Sequence, residues 1–273
     1  MIQISGLYVR YGKNRAIDNL NLTIGRGESV LLAGANGSGK TTLLRVISGV
    51  LNPNEGAARV DRNKIGRGTR RKTAYIPASI GYYDSLNIRD AITFHSSFYH
   101  DFFYKDLANV TVSRSRKVGS LSRGEKTLFF LSLALGSNPD YLLIDDVVHF
   151  LDPHLRELFL GNILQLIEER QLSVIVAAQS SFEIEGIFER VIIMNKGKTV
   201  VDENVDTLKE KFVKIYSKSI PNHLPVVFSR SWQDVNELYV YPYDAGLNCR
   251  EKIHHLRLPE ILRAFIGGEY GSH

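Results

Sequence analysis

Gly34, Gly39, Lys40 and Thr41 fall at the fixed places of the pattern G-x-x-x-x-G-K-[ST]. Residues of these types at this spacing can hold a phosphate chain. Glycines let the backbone close round an anion with no Cβ in the way. Lys40 carries a point charge on a long stem toward β- and γ-phosphates, and Thr41 offers a hydroxyl to Mg²⁺. Asn36, Gly37, Ser38, Gly39 and Thr42 complete a run of backbone N–H groups turned toward one point. A helix starting there adds the partial positive charge of its N-terminus. Far downstream, Asp145 ends the apolar run Tyr141-Leu142-Leu143-Ile144, where a carboxylate can hold the metal from the side opposite Thr41. Asp146 follows and is of the type that orients an attacking water. Two acids at a strand end can equally form a helix cap or an exposed pair. Tyr11 is an aromatic that can stack on a base or pack on its own sheet.

Strands and helices must bring these groups together. Ser29–Ala33 reads as a buried strand feeding the glycine loop, and residues 42–47 read as the start of the helix that leaves it. Residues 1–30 alternate in the manner of antiparallel strands, and β structure returns at 56–60 and 73–76. Residues 84–119 read as mostly helical. A buried helix is expected over 127–135 and another opens at Asp152-Pro153. Tyr141-Leu142-Leu143-Ile144 and Ser173–Ala178 are unbroken apolar runs, and residues 191–201 form a hairpin turned at Lys196-Gly197. Such runs alternating with helices imply a mainly parallel α/β sheet covered on both faces. The predicted architecture is a phosphate-loop core with an antiparallel β subdomain, a helical subdomain at about 84–138, and a small α+β extension. In that extension 212–216 and 238–243 read as strands and 258–265 as a closing helix.

The 273 residues suit one large domain with an appendage, or two small domains. With 44% hydrophobic and 23% charged residues, a disordered or low-complexity chain is excluded. No apolar run reaches the ~18 residues that mark a spanning helix, and no N-terminal stretch has the order of a signal peptide. Cys249 is the only cysteine, which fits a reducing compartment; with His254 and His255 it lacks the spacing of a metal site. A net charge of +5 is compatible with an anionic membrane or nucleic acid. Arg59, Arg62, Lys64, Arg67, Arg70, Arg71 and Lys72 crowd one stretch, read mainly as a solvated loop, with lipid head groups or an acidic partner as the alternative. Phe94, Phe98, Tyr99, Phe102, Phe103 and Tyr104 are too many for one helix face to bury, so a groove for a partner helix competes with a small aromatic core.

Taken in order, Tyr11, residues 34–41, Leu121-Ser122-Arg123-Gly124-Glu125, Asp145-Asp146 and Leu151-Asp152 resemble the ATP-binding subunits of ABC transporters. The resemblance covers residues 1 to about 210 and leaves 211–273 as an accessory region. It implies ATP and Mg²⁺ as cofactors, with Tyr11 on the adenine and Thr41 and Asp145 on the metal. It also implies a head-to-tail pair of ATP-binding subunits, in which Ser122 and Gly124 contact the partner's ATP and Asp152 lies on the loop that crosses over. Separate transmembrane permease subunits would be driven by closure and opening of that pair. The chain would then be cytoplasmic and peripheral on the inner face of the membrane. The stretch from Phe98 through the signature looks most like bacterial export-type subunits.

Three positions depart from the family. Ala78 stands where a Gln normally meets Mg²⁺ and water, Asp146 where a catalytic Glu follows the strand Asp, and Gln179 where a His normally meets the γ-phosphate. Lys40, Asp146 and Gln179 remain the candidate catalytic groups. Asp is one methylene shorter than Glu, and a misplaced base forfeits roughly 10²- to 10⁴-fold in rate. Slow turnover at this chain's own site is expected, with the chain as the weaker half of a heterodimer or as one of two equally slow halves of a homodimer. The other readings are a soluble ABC-type ATPase acting on nucleic acid or ribosomes, and an ATP-sensing module with little turnover. A single ATP-binding unit and the lack of a nucleic-acid fold argue against the former.

Overall fold

The computed structural model describes residues 1–66, 68–79, 83–107, 114–148, 151–170, 172–178, 186–233, 235–244 and 252–267. Its strands are β1 (Ile2–Tyr11), β2 (Asn14–Ile24), β3 (Ser29–Ala33), β4 (Glu55–Val60), β5 (Asn63–Lys64), β6 (Thr73–Ile76), β7 (Tyr141–Asp145), β8 (Ser173–Ala178), β9 (Arg190–Asn195), β10 (Lys198–Asn204), β11 (Val213–Ser217), β12 (Val226–Trp232), β13 (Val235–Val240) and β14 (Ile253–His255). Its helices are α1 (Lys40–Ile47), α2 (Ile88–Ser96), α3 (Arg123–Gly136), α4 (Pro153–Arg170), α5 (Val205–Lys211) and α6 (Leu258–Gly267).

The central sheet runs β10-β9-β3-β8-β7-β6, parallel except for β10, which closes a hairpin on β9. Every residue of β3, β7 and β8 is buried, as the unbroken apolar runs require of strands covered on both faces. Side chains alternate between faces. Val30 and Leu32 join Leu43, Leu44 and Ile47 of α1 and the antiparallel sheet β2-β1-β4-β5. Leu31 and Ala33 face the opposite way, toward a core with Leu128 and Leu131 of α3 and Phe159 and Ile163 of α4. Each face therefore has its own core, and β3 is held rigidly between them.

The expectation that 84–119 is mostly helical is not met: among the described residues of that stretch, helix is confined to α2 and a 3₁₀ turn, Val118–Ser120. Ser96 and Ser97 turn their hydroxyls back to the carbonyls of Thr93 and Phe94, a local competition that ends helices. Beyond them the backbone finds partners on α3: Phe103 N–H donates to Gly136 O at 3.0 Å and Leu107 N–H to Ser132 Oγ at 3.1 Å. Tertiary hydrogen bonds thus replace helical ones. Conversely, α3 begins one turn earlier than the apolar pattern, because Ser122 and Glu125 close a capping box.

Two aromatic fates follow. Phe102 and Tyr104 pack on the small core of Ile88, Val118, Phe129 and Leu133. Phe94, Phe98 and Phe103 are 49, 56 and 74% exposed. The C-terminal strands form a further sheet, β12-β13-β11-β14, of which the sequence pattern predicts β11 and β13 but neither β12 nor β14. Helix α6 sets Leu258, Ile261, Leu262 and Phe265 into the core shared with α3 and α4, and Phe265 lies 5.2 Å from Phe212. The expected boundary at 210 falls inside α5. Among the described residues no helix is long and apolar enough to cross a membrane.

Candidate functional site

The glycine loop joins the C-terminal end of β3 to α1. Gly34 has φ +149 and Gly39 φ +110, a region where side chains are strained. Space forbids them too: a Cβ on Gly34 would collide with Met194 O, and one on Gly39 would come 2.6 Å from Ala16 O. Gly37 shares the positive φ, and Ser38 is buried and accepts from Gly197 N–H of the β9–β10 turn at 2.9 Å. Asn36 lies at the exposed crest, and Thr42 is buried in the first turn of α1. The loop is thus clamped from behind and presents its backbone forward.

Lys40 is only 6% exposed, and its Nζ donates to Gly34 O at 2.6 Å and Ala35 O at 3.0 Å. Burial pulls its pKa down, while the carboxylates of Asp146 and Asp145 oppose the shift. Thr41 Oγ1 donates to Asp145 Oδ1 at 3.0 Å, and Tyr75 Oη donates to Asp145 Oδ2 at 3.0 Å. Asp145 is 1% exposed; burial raises its pKa against the lowering effect of those two hydroxyls. Asp146 turns away from the strand with φ +54, a conformation Asp tolerates, and its N–H donates to Ala177 O at 3.0 Å. A cleft of about 1060 Å³ runs from Thr41 and Asp145 past Tyr75 and Arg45 to Tyr11, and Ala78 lies on its wall. Tyr11 is 47% exposed there. A constricted glycine cradle, a buried cation and a hydroxyl–carboxylate pair suit a nucleotide's phosphates and a hard divalent cation with oxygen ligands.

Ser122, Gly124 and Asp152 do not line this cleft. Ser122 is the exposed N-cap of α3, its Oγ accepting from Glu125 N–H at 3.1 Å. Gly124 is buried where α3 meets α4, and a Cβ on it would come 2.5 Å from Leu155 Cδ1. Asp152 Oδ1 accepts from Leu155 N–H at 2.9 Å and so begins α4. Gln179 and Cys249 lie outside the described residues. The sequence reading missed Tyr75 and Arg45. A tyrosine whose polar end lies on a strand before Pro77 was the available signal for the first; a basic residue in a helix gave none for the second.

Strand, glycine loop, helix and buried carboxylate define a P-loop nucleotide-binding domain. Residues 17–149 match the family model described as ABC transporter. The uncharacterized ABC transporter ATP-binding protein YhaQ of Bacillus subtilis (strain 168) is 28% identical over 224 residues, 78% of this chain and 74% of that protein. The arginine transport ATP-binding protein ArtM of the same organism is 29% identical over 253 residues, 82% and 98% of the two chains. Its linearmycin resistance ATP-binding protein LnrL is 27% identical over 212 residues, 73% and 68%. In fold, the chain is similar to the dimeric post-hydrolysis state of the ATP-binding cassette MJ0796 bound to ADP and Pi, with a TM-score of 0.67 at 23% identity over 75% of this chain and 98% of that one. Family model, relatives and fold agree in making this chain similar to the ATP-binding proteins of ABC transporters.

Proposed function

We propose that the chain is the ATP-binding subunit of an ABC exporter, working with separate transmembrane permease subunits from the inner face of the membrane. The observation that carries the nucleotide part is the meeting of Thr41 and Asp145 beside the Lys40 cradle. Lys40 would exchange its two carbonyl partners for β- and γ-phosphate oxygens. Thr41 and Asp145 would hold Mg²⁺, which when bound neutralises charge on those oxygens. Tyr11, at the far end of the same cleft, would stack on the adenine. Asn36, Gly37, Ser38, Gly39 and Thr42 would contribute backbone or hydroxyl donors.

The direction of transport rests on the export-type resemblance of the stretch from Phe98 through the signature, and on a relative named for resistance. Ser122 and Gly124 would serve the partner subunit's ATP, and Asp152 would lie at the crossing between subunits. Asp146 and Gln179 would serve this chain's own site, with Ala78 leaving one water-orienting group missing. That division favours a heterodimer in which the Lys40 site turns over slowly. Residues 1–210 would form the ATP-binding unit and 211–273 an accessory part fixed to it through α6.

Calorimetry tests the core of this reading. Lys40→Ala keeps the backbone cradle and removes the point charge, so its ATP affinity should fall about tenfold or more. Equal affinity in variant and parent overturns the assignment. Recovery of the protein with membranes rather than with RNA tests the partner class.

A further inference from the structure

Asp145 meets two hydroxyl donors, and only one, Thr41, stands in the helix turn that leaves the glycine loop. The other arrives by sheet register. Tyr75 of β6 pairs with Leu143 of β7, and Asp145 lies two residues beyond Leu143 on the same face. The phenol therefore reaches along the sheet to Oδ2, while Thr41 holds Oδ1 at the same 3.0 Å. Arg45, in the last turn of α1, interacts with the hydroxyls of both Tyr75 and Tyr11. Asp145, Tyr75, Arg45 and Tyr11 all line the same cleft.

A carboxylate held at one oxygen can swing about its own axis. Held at both, it presents a fixed edge. We propose that Tyr75 is a positioning residue for the metal site: its hydroxyl fixes the Asp145 carboxylate so that Oδ1 stays beside Thr41, and Arg45 ties this arrangement to Tyr11. The inference rests on the MgATP reading above. It differs from simple satisfaction of a buried oxygen, which would affect folding but not the metal in particular.

The experiment measures ATP affinity of the full chain by calorimetry in excess Mg²⁺ and in EDTA; the ratio is the metal-dependent gain. Tyr75→Phe keeps the ring and removes one hydroxyl. It should cut the gain about threefold to tenfold, the effect of one hydrogen bond, and leave affinity in EDTA within about twofold of the parent. Arg45→Met leaves Tyr75 in place and should show the same split at about twofold. An unchanged gain overturns the proposal, and so does an equal loss in both buffers. If Tyr75→Phe does not fold, the Arg45→Met split decides. Asp145→Asn separates the two claims. It should abolish the gain; if it retains the gain, the metal assignment itself fails, whereas loss there with an unchanged gain in Tyr75→Phe removes only the role of Tyr75.

Discussion

Thr41 Oγ1 and Asp145 Oδ1 are 3.0 Å apart although 104 residues separate them in the chain. The register of three parallel strands makes the meeting: β3 pairs with β8, β8 with β7, and both β3 and β7 end at the same edge of the sheet. Glycine loop and acid are thereby brought to one point, where the proposed divalent cation would take oxygen ligands from two directions.

The cost of burying Asp145 predicts a pH dependence. Burial raises its pKa above the ordinary carboxylate value, with Asp146 adding to the shift and Thr41 and Tyr75 opposing it. A carboxyl with a raised folded pKa binds its proton more tightly when folded. Its stabilising contribution is complete below about pH 4, the unfolded value, and is lost as pH rises through the folded one. Asp145→Asn should therefore melt higher than the parent at pH 7 in EDTA, and the difference should shrink toward pH 4. A variant melting lower than the parent at pH 7 would show the ionised carboxylate to be net stabilising.

Asymmetry between own-site and partner-site residues is read in the assembled transporter. Ser122→Ala removes a hydroxyl that, in the proposed dimer, would face the partner's ATP, and should lower ATPase by about tenfold or more. Asp146→Asn should change it by less than about twofold if the Lys40 site is the slow one. Equal, complete loss from both substitutions would make Asp146 a working catalytic carboxylate and remove the heterodimer argument.

Exposure separates two phenylalanines within a few residues of each other. Phe98 is 56% exposed and packs edge-on against Phe94, with ring centres 5.1 Å apart. Phe102 is folded into the aromatic core, and its ring fills the space a Cβ on Gly136 would need. Phe98→Asp should melt within about 0.5 kcal/mol of the parent and yet leave the membrane fraction. Phe102→Asp should destabilise by about 3 kcal/mol or more, since it buries a charge in that core. Retention of Phe98→Asp on membranes would place the docking surface elsewhere.

Gly124 bears on the packing of α3 against α4. A Cβ there would come 2.5 Å from Leu155 Cδ1, the end of a side chain that can move. Gly124→Ala should lower stability by about 1–2 kcal/mol through overpacking, measured by chemical denaturation. Adding Leu155→Ala should recover part of that loss if the contact is its cause. A double variant less stable than the sum of the single changes would point to the backbone instead.

The chemistry of residues 34–42 is local and was legible without a fold. A strand, a glycine turn and a helix within the span Ser29–Ile47 fix their own relation, because glycine conformation and helix polarity act over neighbouring residues. The buried strands were legible too: β3, β7 and β8 read as apolar runs and are buried throughout. Composition could not say which strands neighbour one another. That order brings Asp145 to Thr41, and the β6–β7 register adds Tyr75, a residue with no motif of its own. Residues 98–107 show the limit from the other side. Their aromatic spacing favours helix, yet the N–H groups of Phe103 and Leu107 are satisfied by Gly136 and Ser132 of a helix later in the chain. Local pattern determined what each segment could be; long-range hydrogen bonds and packing, whose partners a periodicity cannot name, decided which possibility was realised.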